Sequence, residues 1–289
     1  MAATSEIAIS KYDEHKNNAY SASASFVPQL TQTVLRYLDP KPTEKILDVG
    51  CGDGKFTANF LPSVQSVLGI DASPSMIETA NKLCGGGGNS KADFRVVDCR
   101  YLEQEREIVN GTWDKVISNA ALHWILRDES TRLSTLQAIH DSLKPNGTFV
   151  FEMGGHGNVA EVVATLLAVI TRHGKNVTLA QARASSPWFF PSENWMRNAL
   201  EKVGFQNIEK LEVEYRPTML TDEQNGSGGA AGWLRLMGAQ MLDILESEDA
   251  RDAAVKEACE ILETVITREE DGSKWFGYVR LRGVARKSS

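Results

Sequence analysis

Chemistry is concentrated first between residues 45 and 54, Lys45-Ile46-Leu47-Asp48-Val49-Gly50-Cys51-Gly52-Asp53-Gly54. An apolar run broken only by Asp48 gives way to glycines at alternate positions, the pattern of a buried strand that turns sharply at its carboxyl end. Because Gly50, Gly52 and Gly54 carry no side chains, a ligand can approach the backbone amides of the turn. The helix expected next, over roughly residues 55 to 61, aims its free N–H groups at the same spot. A second run, Val67-Leu68-Gly69-Ile70, ends in Asp71 about twenty residues further on, where a carboxylate can accept from both hydroxyls of a ribose. Such a site suits an adenosine-bearing cofactor.

The details separate two such cofactors. A dinucleotide fingerprint reads Gly-x-Gly-x-x-Gly, whereas here the third glycine comes one residue early and Lys55 follows it. A carboxylate at Asp48 would be repelled by a pyrophosphate and attracted by the ammonium and sulfonium charges of S-adenosylmethionine. A nicotinamide-dependent oxidoreductase therefore fits less well. A non-catalytic module that keeps the fold for interactions stays open, because both uses draw on the same strand ends. The stretch Ile46 to Gly54 resembles motif I of the class I S-adenosylmethionine-dependent methyltransferases, and Asp71 matches the acid that this family places on the ribose.

Further candidates follow later strands. The third strand, Phe94 to Val97, ends in Asp98 with Cys99 beside it, and in the resembling family the acid there accepts from the adenine amino group; a cap or turn role is the alternative. Met76, just behind Asp71 on a helix begun by Ser73-Pro74, is placed either on the adenine face or in the core. The fourth strand, Trp113 to Ser118, leads into Asn119-Ala120-Ala121-Leu122-His123-Trp124. Ligands of open α/β sheets bind outside the carboxyl ends of the strands at a switch in strand order, so Asn119, His123 and Trp124 are expected near the transferring methyl group. His123 is the candidate catalytic base, with a packing role beside Trp124 as the alternative.

The surrounding elements are expected to position these groups within one methyltransferase domain over residues 1–289. Residues 1–30 form a cover segment, in which Tyr20 and Phe26 are the aromatic residues that the resemblance places over the cofactor. Residues 31–153 form the cofactor-binding core. Segments 154–191 and 226–247 are helical insertions acting as lids, and 192–225 with 248–289 complete the sheet. The implied fold is α/β and Rossmann-like: a seven-stranded, mostly parallel sheet with helices on both faces and an antiparallel last strand, read here as a continuous run from Trp275 to Ala285. His156 in the Gly154–Ala160 run, Trp188 in the aromatic stretch Pro187–Pro191, and Arg235 after the second glycine-rich joint are expected to line the acceptor site, with Arg183 as a further cation.

Within class I, Asn119–Trp124, Gly154–Ala160, Pro187–Pro191 and Gly232–Met237 are similar to the trans-aconitate methyltransferase group, which implies methylation of a carboxylate of a small organic acid. The alternative is methylation of a natural-product hydroxyl, with His123 as general base and His156 as second candidate. A net charge of −7 leaves no basic surplus for nucleic acid or an anionic membrane. The four cysteines show no metal-ligand spacing and are expected to be reduced thiols, with no metal. No stretch has the length of a membrane span, and a cytoplasmic monomer or weak homodimer acting on a small molecule is expected.

Overall fold

The computed structural model describes residues 31–85, 91–221 and 228–289. Its centre is β1 (Lys45–Val49), buried from Ile46 onward, as expected of a strand with apolar neighbours on both faces. β2 (Ser66–Asp71) and then β3 (Ala92–Val96) extend the sheet in parallel on one side; β4 (Trp113–Asn119) and β5 (Leu143–Gly154) extend it in parallel on the other. Two more strands, β6 (Phe205–Tyr215) and β9 (Val279–Lys287), close that side, with β9 antiparallel to both β5 and β6. The seven-stranded order is β3-β2-β1-β4-β5-β9-β6, so the sheet is the Rossmann-like one anticipated. The strand order reverses between β1 and β4.

Helices cover both faces. On one, α1 (Gln32–Leu38) presses Val34 and Leu38 onto Ile46, Ile117, Val150 and Val284. It stops where Asp39 takes φ +41 ahead of Pro40. α2 (Lys55–Phe60) adds Phe60 to that layer. On the other face, α5 (Arg132–Ser142) and α8 (Glu193–Lys202) set Leu136, Ile139, Met196 and Leu200 against Val116, Phe149 and Phe151. Each fully buried side chain of this size contributes about 1.5–3 kcal/mol. α3 (Pro74–Cys84) packs Ile77 and Ala80 beside the sheet at Cys51, Ala92 and Phe94, and the short α4 (Leu122–Ile125) follows β4.

A second core is built by the chain segments that leave β5 and β6. α6 (Ala160–His173), α7 (Leu179–Ala184), α9 (Gly229–Met237), α10 (Ala239–Leu242) and α11 (Glu248–Ile266) bury Val162, Leu166, Ala182, Trp233, Leu234 and Leu262 among themselves. A two-stranded ribbon of β7 (Thr218–Met219) and β8 (Trp275–Phe276) sits with them. The run from Trp275 to Ala285 is therefore not one strand. It divides at Gly277-Tyr278, the first piece pairing with β7 and the second entering the main sheet, because Phe276 and Tyr278 belong to the helical core whereas Leu281 and Ala285 belong to the sheet core. The stretch Lys144–Gly147 enters β5 as an irregularity, with Asn146 at φ +63 and the β4 register jumping from Leu143 to Thr148. No helix among the described residues is long and apolar enough to cross a membrane.

Candidate functional site

At the end of β1 the chain turns through Gly50 at φ +75 and Gly52 at φ +54. Gly50 and Cys51 donate their N–H groups to the Ile70 carbonyl, at 2.8 and 3.0 Å, which binds the turn to the end of β2. The two glycines then differ. A Cβ on Gly50 would lie 2.2 Å from the Ala121 Cβ, so this side of the turn is packed against the segment after β4. A Cβ on Gly52 would meet nothing within 4 Å. The N–H of the same glycine reaches the acid: Gly52 N–H donates to Asp71 Oδ2 at 3.0 Å, and Ser73 N–H donates to Oδ1 at 2.9 Å.

Met76 stands directly behind, half-buried and outside the described hydrophobic cores, its N–H donating to the Ser73 cap. Asp98 also acts as a cap. It accepts from the N–H of Arg100 and takes the guanidinium of the same residue at 2.5 to 3.1 Å, so its carboxylate is already engaged. Cys99 turns its thiol into the core toward the carbonyls of Ile70 and Val97, and burial pushes its pKa up; only its backbone is left for a ligand. Tyr20 and Phe26 lie outside the described residues.

Asp48 is fully buried and accepts from the Thr57 hydroxyl at 2.6 Å. Burial, aided by the nearby charge of Asp71, pushes its pKa up to about 7, against the opposing Thr57 bond. Beyond it, Ser118 Oγ donates to the Val49 carbonyl at 2.7 Å and ties the end of β4 to the end of β1. One residue on, the side-chain oxygen of Asn119 is buried and has no hydrogen-bond partner. A buried amide oxygen in that state costs about 1–3 kcal/mol unless a ligand donor meets it.

His123 is buried and differs from the expectation of a catalytic base. Its Nδ1 accepts from Gly154 N–H at 3.3 Å, its carbonyl accepts from Phe189 N–H, and burial with the charge of Arg280 pushes its pKa down to about 3. A ring held in this way is neutral and has one nitrogen already used as an acceptor. It joins an aromatic chain: His123 lies 5.5 Å from Trp124 and 5.8 Å from Phe190, Trp188 lies 5.8 Å from Trp124 and 6.0 Å from Trp233. Trp124 and Trp188 thus come together at the seam between the sheet and the helical core. His156 has an exposed side chain, with its N–H bonded to the Pro191 carbonyl. Arg235 is corrected: it lies half-exposed on α9 and pairs with Asp252 of α11 at 2.9 Å, a surface contact rather than one at the strand ends. Arg183 is exposed on α7.

The cations that do reach the strand ends come from β9. Arg280 and Arg282, both buried, stand opposite Gly154 and Glu152 of β5. Their signal in the sequence was the alternation Arg280, Arg282 against Leu281 and Gly283, a pattern that reads as a solvated face.

The open face at Gly52, the acid it holds and the partnerless Asn119 oxygen are what an adenosine bearing a charged amino group would need. The chain matches the methyltransferase domain family over residues 46–147. It is also 37% identical over 204 residues to an uncharacterised methyltransferase of Schizosaccharomyces pombe, covering 71% of this chain and 75% of that one. The chain belongs to the class I S-adenosylmethionine-dependent methyltransferases. A trans-aconitate 2-methyltransferase of Deinococcus radiodurans is 25% identical over 219 residues, covering 74% of this chain and 76% of its own. A methyltransferase structure from Bacillus halodurans shares the fold with a TM-score of 0.59 at 15% identity, over 89% of this chain and 98% of that one. As a member of this family the methyltransferase uses S-adenosylmethionine. Asp71 and Ser73, the amides around Gly52, and Asn119 would hold it.

Proposed function

We propose that this methyltransferase forms the methyl ester of a small organic acid, whose carboxylate oxygen attacks the methyl group. The observation that carries this is His123. A phenol or alcohol must lose a proton to become a nucleophile, and the histidine nearest the ends of β4 and β5 is locked as a neutral acceptor with its pKa pushed down to about 3. A carboxylate is ionised already at neutral pH and needs only alignment and the exclusion of water. When bound, S-adenosylmethionine supplies a methyl group on a positively charged sulfur, which departs as a neutral thioether. The chain's own contribution is positional: Asp71 and Gly52 fix the cofactor end, and the aromatic chain of Trp124, Trp188 and Phe190 keeps water away. The resemblance to trans-aconitate methyltransferases supports the same acceptor class, and the two inserted helical segments act as its lids.

The test is to incubate the full chain with labelled S-adenosylmethionine and trans-aconitate and to locate the new methyl group by mass spectrometry and mild alkaline hydrolysis. An alkali-labile methyl ester is expected. An alkali-stable methyl ether formed from a phenol or alcohol, with no ester from any acid, would overturn the reading.

A further inference from the structure

Arg132, the first residue of α5, is a half-buried cation that makes no ion pair among the described residues; Asp128 and Glu129 act on it through their charge alone. Its guanidinium is spent elsewhere. Nε donates to the Leu126 carbonyl at 2.8 Å and Nη2 to the Arg127 carbonyl at 3.2 Å, at and just after the C-cap of α4, where helical carbonyls are left open. Its Cζ lies 3.6 Å from the centre of the Phe189 ring, and Trp195 of α8 meets the same ring edge-on at 4.7 Å. Phe189 in turn donates its N–H to the His123 carbonyl at 2.8 Å. The segment after β4 and the aromatic stretch are thus joined twice, by one backbone bond at His123 and through Arg132 at the far end of α4. The residues so held straddle the seam: Phe189 packs against the sheet core, Trp188 and Phe190 against the helical core. Phe189 is the point at which the wall is tied to the sheet.

We propose that Arg132 is a positioning residue for methyl transfer: through Phe189 it fixes Trp188 and Phe190 relative to the segment after β4 that carries Asn119 and Trp124. This rests on the reading above that the aromatic chain borders the transfer and keeps water away, and it holds whichever oxygen takes the methyl group. A single N–H···O bond at His123 is a hinge about which the aromatic stretch can swing. The guanidinium removes that freedom, because its planar fork reaches two carbonyls while its charge stays on the ring, which a compact ammonium does less well. Alignment for in-line displacement tolerates little error, a misplacement of about 1 Å costing about 10²-fold in rate. Without Arg132 the wall loosens and water reaches the methyl carbon. A water oxygen then forms the new carbon–oxygen bond with its lone pair and the carbon–sulfur bond breaks toward sulfur. The products of that leak are methanol, S-adenosylhomocysteine and a proton given to solvent.

Arg132→Met, which removes fork and charge, and Arg132→Lys, which keeps the charge, test this on the full chain in three measurements. By hydrogen exchange, the peptide that carries Phe189 is expected to lose protection in Arg132→Met while the peptides of β1 and β2 keep theirs. With labelled S-adenosylmethionine and no acceptor, the same variant should release labelled methanol about threefold or more faster than the wild type. With trans-aconitate, kcat per site titrated by S-adenosylhomocysteine calorimetry should fall by about tenfold or more, with the cofactor Kd unchanged. Arg132→Lys should lie between wild type and Arg132→Met in all three, a rescue that an arginine serving stability alone would not give per titrated site. Unchanged exchange at Phe189 in Arg132→Met would overturn the proposal, as would faster exchange with methanol release and kcat both unchanged. If Arg132→Met does not fold, Arg132→Lys is compared with the wild type directly, and values equal to wild type in all three measurements would overturn it. A wild-type chain that makes no ester from trans-aconitate would sink the ester reading instead, and exchange with methanol release would then decide the role of Arg132.

Discussion

The backbone N–H of Gly52 donates to Asp71 Oδ2 at 3.0 Å, so the glycine turn after β1 and the acid at the end of β2 form one unit. Asp71→Ala removes the brace of the turn and the carboxylate expected to accept from the ribose. Two charged-acceptor bonds at about 1.5–3 kcal/mol each predict that the S-adenosylmethionine Kd rises by at least about tenfold, measured by calorimetry. An unchanged Kd would remove Asp71 from the site.

Gly50 and Gly52 should separate fold from binding. Gly50→Ala puts a Cβ 2.2 Å from Ala121 at φ +75, and overpacking with backbone strain predicts a loss of about 2–4 kcal/mol in urea unfolding. Gly52→Val meets no protein atom at its Cβ, at a φ of +54 that a β-branched residue tolerates poorly. The variant should stay folded, at some cost in stability, and lose cofactor binding. A Gly52→Val protein that binds normally would show that the open face is not the cofactor's.

His123 makes a pH prediction in two parts. Ester formation from trans-aconitate should stay flat between about pH 6 and 9, since no base is unloaded. Its pKa falls from the ordinary 6.5 to about 3 on folding, so the stability it contributes is present above about 6.5 and lost as the pH drops toward 3. His123→Gln should flatten that part of the acid unfolding curve. A rate that titrates near pH 7 and disappears in His123→Gln would restore His123 as a base.

Asp48 works with the opposite sign. With its pKa raised from 3.8 to about 7, the folded state holds a proton that the unfolded state has released, so stability is full below about 4 and falls as the pH rises to about 7. Asp48→Asn should remove this fall. Because the ionised carboxylate attracts the positive cofactor, S-adenosylmethionine affinity in the wild type should rise as the pH passes 7 and stay level in the variant. Affinity that ignores pH in both would confine Asp48 to its bond with Thr57.

What could be read from the sequence was local. The strand, the glycine turn and Asp71 lie within a few turns of chain, and their types fix their geometry almost alone. The failures came from partners far apart in sequence. Arg235 resembled a counter-ion because nothing near it in sequence shows that Asp252 sits on the next long helix. His123 looked accessible because its burial comes from Gly154 and the Phe189–Phe190 wall. Asp98 is the local case, its cap on Arg100 being the alternative already legible in the sequence. Arg280 was hidden for the opposite reason, in a strand whose alternation suggests solvent but whose arginines are held by a glutamate on β5.

The strand β9 lies between β5 and β6, yet it emerges from the ribosome after both and after every helix of the second core. Until it arrives, β6 has no partner in the sheet and β5 keeps an open edge, the kind of surface that invites wrong pairing during synthesis. The half of the sheet around β1, β2 and β4 has no such dependence. A nascent chain can thus assemble the turn and the strands that cradle its cofactor well before β9 exists, and the far side of the sheet is the last part of the enzyme to mature.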